Sequence, residues 1–399
     1  MTPCLFSTGT ARGGTGLVTR MLSVSPLVDI ALDPFLPLFR SYRSAIIRHH
    51  GSEKMRQTCN NPDAPFADYY FSQEQLDVLD AIQNAPLDVP FQRQERPALL
   101  DLLRQRARLS SGDLVPLMDS LVGDTYRDFF LNGLRLIQKT RKGAKTQWVG
   151  LHENWTVEFL LPLANAFPEG RFLIILRDPR AVIASNLHVS NSSERGHIAS
   201  YARCIRKQMA CALYYQTLPV FRNRLVLLRY EDLIRDPEGK CKELCRFLEI
   251  PFHPDMLDTH KYVDPATGET YNGYSSFEPV AHGFKEHRIG RWRQHLPNDQ
   301  VRLIDFICGF EMEFFGYEPL DHSESAPLDP GILSALIKDG QEPKSWRTDF
   351  GLPEKDYGFE FLRRGLLLSP DFMFEEPLVR KAFLYKEVYS ALKTSCHRT

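Results

Sequence analysis

The ten residues Ser7-Thr8-Gly9-Thr10-Ala11-Arg12-Gly13-Gly14-Thr15-Gly16 constrain this chain more than any other stretch. Pro3–Phe6 before them reads as a short buried strand, and Leu17, Met21 and Leu22 after them fall at helical spacing. A strand, a glycine-rich turn and a helix point successive backbone N–H groups at an anion. The helix start adds partial positive charge. Glycines let the backbone approach a phosphate without Cβ atoms in the way. Arg12 supplies a fixed cation, and the hydroxyls of Thr8, Thr10 and Thr15 add donors. The stretch reads as a cradle for the phosphate of a nucleotide. It is not an ATPase loop. Gly9 and Gly14 have the P-loop separation, but Thr15 and Gly16 stand where Lys and a hydroxyl residue are required.

With 399 residues the chain has room for two domains, or for one with insertions. A formal net charge of −1 gives no argument for a nucleic-acid partner or an acidic membrane surface, and neither is expected. The eight cysteines show neither a disulfide framework nor a C-x-x-C pair, so a reduced, cytoplasmic location is expected. Structure begins by residue 4 and no run of eighteen apolar residues occurs. The expectation is therefore no leader and no membrane anchor.

Along the chain, Pro26–Leu32 reads as a second strand ending at Asp33-Pro34-Phe35, the start of a parallel α/β sheet. Asp33 then stands at the strand edge where such sheets bind ligands, with a plain N-cap role before Pro34 as the alternative. Residues 40–145 break the strand–helix alternation. Helices are expected at Pro97–Leu109 and at Asp124–Thr140, where Tyr126, Phe129, Phe130, Leu134 and Ile137 share a face. This is read as a helical insertion shaping the pocket for a second substrate. Arg141, Lys142 and Lys145 after it read as a solvated turn.

Gln147–Leu151 resumes the sheet and delivers His152 and Glu153 at its end, with a helix from about Thr156 to Ala166 next. Arg171–Leu176 is an apolar central strand, followed by Arg177-Asp178-Pro179-Arg180. Asp178 caps the next helix and Pro179 occupies its first turn. Ser185 lies two turns in, so Arg177 and Ser185 could hold a second phosphate. Arg224–Arg229 is another strand, leading to Tyr230-Glu231-Asp232-Leu233 and a helix over Ile234–Leu248. Ile289-Gly290-Arg291-Trp292-Arg293 precedes an amphipathic helix near Val301–Phe315. The last 80 residues are helical and too apolar for a disordered tail.

Together these four blocks resemble the sulfotransferases that use 3′-phosphoadenosine 5′-phosphosulfate (PAPS). Arg12-Gly13-Gly14-Thr15-Gly16-Leu17 resembles their 5′-phosphosulfate loop, with Gly13 and Gly16 where that loop carries hydroxyl residues. Arg177 through Ser185 resembles their 3′-phosphate motif. Arg229–Leu233 and Ile289–Arg293 resemble two further blocks. The likeness covers residues 4–35 and 147–317, and leaves the insertion and the tail unmatched.

The resemblance implies a P-loop NTPase-like α/β fold: a central parallel sheet flanked by helices, with a helical insertion and a helical C-terminal extension. It implies a sulfotransferase domain over 1–320, its segment 40–145 capping the acceptor pocket, and an extension over 321–399 that packs on the body or on another copy. The implied reaction is in-line sulfuryl transfer from PAPS to a hydroxyl of a small-molecule or carbohydrate-like acceptor, leaving 3′,5′-ADP and needing no metal. Arg12 would neutralise the leaving phosphate, Arg177 and Ser185 would grip the 3′-phosphate, Tyr230 would lie near the adenine, and Arg291 belongs to the nucleotide set. Asp33 and His152 are both candidates for the base, with Glu153 behind them. The rival readings are a small-molecule kinase and a nucleotide-binding protein without catalysis.

Overall fold

The computed structural model describes residues 3–58, 73–141, 145–190, 198–271, 273, 276–278, 282–318, 355–369 and 376–396. Five strands, β1 (Cys4–Gly9), β2 (Val28–Leu32), β3 (Trp148–Asn154), β4 (Arg171–Leu176) and β5 (Leu225–Arg229), form one sheet in the order β2-β3-β1-β4-β5. Every pairing is parallel. This is the P-loop-like α/β architecture the sequence predicts.

Between β1 and β2 runs α1 (Thr15–Ser23). The long excursion from β2 to β3 holds α2 (Leu36–His50), α3 (Glu53–Thr58), α4 (Gln73–Asn84), α5 (Arg96–Ala107) and α6 (Tyr126–Thr140). Then α7 (Leu160–Ala166) precedes β4, and α8 (Pro179–Ser190) and α9 (Ile198–Thr217) precede β5. After β5 come α10 (Tyr230–Arg235), α11 (Pro237–Leu248), α12 (Trp292–His295) and α13 (Asn298–Phe314). The tail holds helices Lys355–Leu368, Glu376–Phe383 and Lys386–Cys396.

Contacts divide the chain into two units. The first gathers Met1–Asp63, Asp77–Arg177 and Leu218–Glu286 and holds all five strands. The second gathers Ala64–Leu76, Asp178–Thr217 and His287–Thr399 and is helical among its described residues.

In the sheet unit, side chains alternate across the sheet as strand geometry requires. Leu5, Leu173 and Ile175 face Val18, Met21 and Leu22 of α1 and Leu244 and Leu248 of α11 in one core. Phe6 and Phe172 take the opposite face, their rings 5.6 Å apart, with Phe167 5.2 Å from Phe6. The apolar face predicted for α6 is buried, and its start is fixed by a Thr125–Asp128 capping box.

Several boundaries differ from the sequence reading. Strand β1 runs on to Gly9 rather than stopping at Phe6, because Ser7 and Thr8 bond within the sheet. Strand β2 begins at Val28, not Pro26. Thr156–Ala166 is a 3₁₀ turn, Val157–Phe159, followed by α7. The helix expected over Ile234–Leu248 is broken at Asp236, whose carboxylate caps α11 by accepting from Gly239 N, while Pro237 fills its first turn. Arg141 is no solvated residue. It donates to the Ile30 carbonyl and pairs with Asp113, whereas Lys145 is exposed and Lys142 lies outside the described residues.

In the helical unit, Glu360 on the helix Lys355–Leu368 is buried against Arg203 and Arg206 of α9. Arg363 on the same helix pairs with Glu311 of α13. Burial pushes the Glu360 carboxyl up, but the two arginines hold it at about 2. The described part of the tail therefore packs on this chain's own helices.

Candidate active site

The first element of the site is the turn between β1 and α1. Gly13 N donates to the Thr10 carbonyl at 2.8 Å, and both Arg12 (φ 67°) and Gly14 (φ 83°) are left-handed. Gly14 caps α1. A Cβ there would collide with the ring of Tyr230, so this position needs glycine for space as well as for its backbone angle. Like any helix start, α1 leaves its first N–H groups without an acceptor inside the helix.

Of the three hydroxyls expected to face a phosphate, two are engaged elsewhere. Thr8 is fully buried in β1 and donates to the Glu153 carbonyl at 2.8 Å. Thr15 donates to Asn154 Oδ1 at 3.3 Å. Only Thr10 Oγ1 is buried without a partner among the described residues.

Two distant motifs brace this turn. Arg177, just past β4, donates from Nη1 to the Arg12 carbonyl at 2.6 Å, and its guanidinium lies 4.3 Å from the centroid of the Tyr230 ring. Its Nε is buried without a hydrogen-bond partner among the described residues. Arg12, Tyr230 and Arg177 thus converge from the carboxyl ends of β1, β5 and β4. These ends lie beside the point where strand order reverses, the crevice in which open α/β sheets bind ligands.

The second element stands at the ends of β2 and β3. Asp33 is left-handed (φ 52°) and donates its N–H to the His152 carbonyl. It caps no helix, because Phe35 holds that position before α2. Both Asp33 carboxylate oxygens accept from Asn154 Nδ2 at 2.9 Å, and Oδ1 is 3.2 Å from Arg106 Nη2. Behind this pair, His152 is fully buried. Its Nδ1 meets Ser7 Oγ at 2.8 Å, and its Nε2 meets Asn154 Oδ1 at 3.3 Å. Since Asn154 Oδ1 can only accept, Nε2 carries the ring proton and Ser7 donates to Nδ1. Burial pushes the His152 pKa down and keeps the ring neutral.

Glu153 is also fully buried. Its Oε1 accepts from Phe35 N, and its Oε2 is 3.7 Å from Arg106. Burial first, and the Asp33 charge second, push its carboxyl well above the usual range despite Arg106. Of the three candidate bases, only Asp33 keeps an accessible side chain, 15% exposed against 0% for His152 and Glu153.

A raised carboxyl pKa has a definite consequence for stability. Between the unfolded value and the folded one, the unfolded chain loses its proton and the folded chain does not, so stability falls as pH rises through that window. Glu153→Gln keeps the acceptor for Phe35 N and removes the ionisation. The variant is expected to flatten the loss of stability above about pH 4.5, the ordinary value of the group. Chemical denaturation at a series of pH values checks this; a slope unchanged from wild type contradicts it.

In the helical unit, Ser185 is buried on α8 and Arg291 directly precedes α12. Arg180 chelates Asp178 through Nε and Nη2, with its guanidinium 4.2 Å from the Trp292 ring centroid. Asp178 Oδ1 also accepts from Arg180 N at the start of α8, as its capping role requires. The described residues hold no group of His, Cys, Asp and Glu that could bind a metal ion, and no helix long and apolar enough to cross a membrane.

Two residues of this site escaped the sequence reading. Arg106 sits in Arg104-Gln105-Arg106-Ala107-Arg108, where nothing separates it from its neighbours. Asn154 could have been found, because strand alternation puts residues 152 and 154 on one face.

The sequence model of the Sulfotransferase family matches residues 3–254, more than half of the chain and all five strands. The chain belongs to the sulfotransferase family. It is 27% identical over 183 residues to carbohydrate sulfotransferase 3 of Tetronarce californica, 41% of this chain and 39% of that protein. It is 23% identical over 176 residues to protein-tyrosine sulfotransferase of Drosophila melanogaster, 43% of this chain and 34% of that protein. The matches thus span under two fifths of either relative. Among solved structures, the sulfotransferase domain from the curacin biosynthetic pathway aligns with 80% of this chain and 99% of its own, at 16% identity and a TM-score of 0.44.

Proposed function

We propose that the chain transfers a sulfuryl group from PAPS to a hydroxyl of a small-molecule or carbohydrate-like acceptor. The observation that carries this reading is the convergence of Arg12, Arg177 and Tyr230 on one glycine turn, with the Asp33 carboxylate held at a neighbouring strand end. The donor set suits a phosphate-bearing nucleotide. Buried N–H and O–H groups without partners at Arg177 Nε and Thr10 Oγ1 are what a phosphate oxygen would satisfy.

PAPS, when bound, supplies a sulfuryl group whose S–O bond to the 5′-phosphate breaks as the acceptor oxygen bonds to sulfur. The residues of this chain do the rest. Asp33 takes the acceptor's proton, held in place by Asn154 and Arg106. His152 fixes Asn154 and does not itself reach an acceptor. Arg12, Gly13, Gly14, Thr15, Gly16 and Leu17 surround the 5′-phosphate, where Arg12 and the start of α1 neutralise the charge left on its oxygen. Arg177 binds the 3′-phosphate and Tyr230 lies beside the base. Ser185 and Arg291 join this set on the resemblance of their motifs alone. The helices between β2 and β3 form the acceptor side, since α5 supplies Arg106.

Incubating the purified chain with ³⁵S-labelled PAPS and a panel of phenols, sugars, glycosaminoglycan fragments and tyrosyl peptides tests the reading. Label is expected on a hydroxylated acceptor. Tight binding of 3′,5′-ADP with no labelled product from any class would mark a nucleotide-binding protein without transfer.

A further inference from the structure

We infer that Thr15 is a positioning residue for the base: its hydroxyl, at the start of α1, holds Asn154 and through it the Asp33 carboxylate, and is not a ligand of the phosphate. The inference rests on the reading of Asp33 as the base. It ties the turn that holds the donor to the group that activates the acceptor.

The direction of every bond in this chain follows from the groups that make it. An ionised carboxylate only accepts, so the Asn154 group 2.9 Å from both Asp33 oxygens is its NH2. The backbone N–H of Asn154 adds a further bond to Asp33 Oδ1 at 3.2 Å. The amide oxygen therefore faces the other way, toward Thr15 Oγ1 and His152 Nε2, each 3.3 Å off. It too can only accept, so both neighbours donate to it. Thr15 has one hydroxyl proton, and that proton goes to Asn154. The oxygens of a nucleotide phosphate are acceptors as well, and cannot share it.

Packing holds Thr15 in the orientation this requires. A Cβ on Gly9 would stand 2.5 Å from the Thr15 methyl, so the methyl lies against the bare backbone of β1. Gly9 is itself the partner of Asn154 across β1 and β3. A β-branched side chain in a helix has few χ1 rotamers, and with the methyl seated on Gly9 the hydroxyl falls on Asn154. His152, held by Ser7, supplies the second donor. An amide turned over would set its NH2 against two donors and its oxygen against a carboxylate, so Asn154 has one way to lie.

Thr15→Val keeps the methyl and the shape of the side chain and removes the proton. Calorimetry with 3′,5′-ADP is expected to give an affinity within about twofold of wild type, because the backbone N–H groups of the turn remain. A larger loss, as for a hydroxyl bound to phosphate, overturns the inference. Denaturant unfolding without nucleotide reads the chain of bonds directly. Thr15→Val is expected to destabilise the wild type and to add nothing to Asn154→Ala, whereas equal losses in both backgrounds overturn the inference. Turnover of ³⁵S-labelled PAPS with the acceptor labelled in the panel above completes the test. Thr15→Val is expected to lose about tenfold, Thr15→Ser to recover most of it, and Thr15→Val to add no loss to Asp33→Asn. An undiminished loss in the Asp33→Asn background overturns the inference and leaves the base in place. Normal turnover in Asp33→Asn itself removes the base, and the inference with it.

Discussion

Replacing Asp33 by Asn is expected to lower turnover by about 10²–10⁴-fold, the usual contribution of a general base, with the chain still folded. Asn keeps the size of the side chain, and its single oxygen can still accept from Asn154 N and Nδ2, while its NH2 gives up the second contact with Nδ2. What it loses is the capacity to take a proton, together with its charge opposite Arg106. A fully buried His152 or Glu153 cannot substitute, because neither reaches the surface of the site. His152→Gln should also slow the reaction, but by loosening Asn154, and without the same loss of proton capacity. Steady-state rates with one acceptor, at saturating donor, separate the cases. Near wild-type turnover in Asp33→Asn contradicts the assignment of Asp33 as the base.

Replacing Arg12 by Ala is expected to lower turnover by about 10²–10³-fold, the range seen when a preorganised group facing developing charge is removed. Its side chain is partly buried in the turn, so no core cavity opens. The contact that braces the turn runs to the Arg12 carbonyl, which Ala retains. Ala at φ 67° is no more strained than Arg, because both carry a Cβ. The loss should therefore fall on turnover rather than on affinity for 3′,5′-ADP, since the side-chain charge matters most as the leaving oxygen becomes negative. Arg12→Lys should recover part of the rate. A variant with normal turnover would mean that this turn is not where transfer occurs.

What the sequence makes legible depends on the kind of signal. The sequence reading of strand β4 agrees with the structure to the residue, because Phe172–Leu176 is a continuous apolar run bounded by Arg171 and by Arg177-Asp178-Pro179. For strand β1 the local pattern ends at Phe6. Ser7 and Thr8 look like loop residues, yet their hydroxyls bond across the sheet to His152 and to the Glu153 carbonyl, partners 145 residues away. The same distance hides the fate of Thr8 and Thr15, whose hydroxyls the sequence offers to a phosphate and the fold uses in β3 contacts instead.

Arg141 shows the same limit. A basic run after a helix gives no local sign that its one guanidinium, that of Arg141, will cover the outer edge of β2. Arg106 is harder still, since α5 carries arginines at 104 and 106, with Arg108 just past its end, and only tertiary packing selects the one that meets Asp33. The positions of Arg12, Arg177 and Tyr230 are legible because each follows a strand, where chain direction alone fixes the edge it faces, whereas Ile289–Arg293 precedes α12 and has no such anchor.

The central claim is that the glycine turn and Arg177 bind a nucleotide with two separate phosphates, as the donor of a sulfuryl group requires. Calorimetry of 3′,5′-ADP and 5′-AMP, with and without magnesium, tests it most directly. The account predicts that 3′,5′-ADP binds without magnesium and about tenfold or more tightly than 5′-AMP. It also predicts that Arg177→Ala erases most of that difference, since a charged hydrogen bond to phosphate contributes about 1.5–3 kcal/mol. Equal affinity for the two nucleotides, or binding that depends strictly on magnesium, would contradict it.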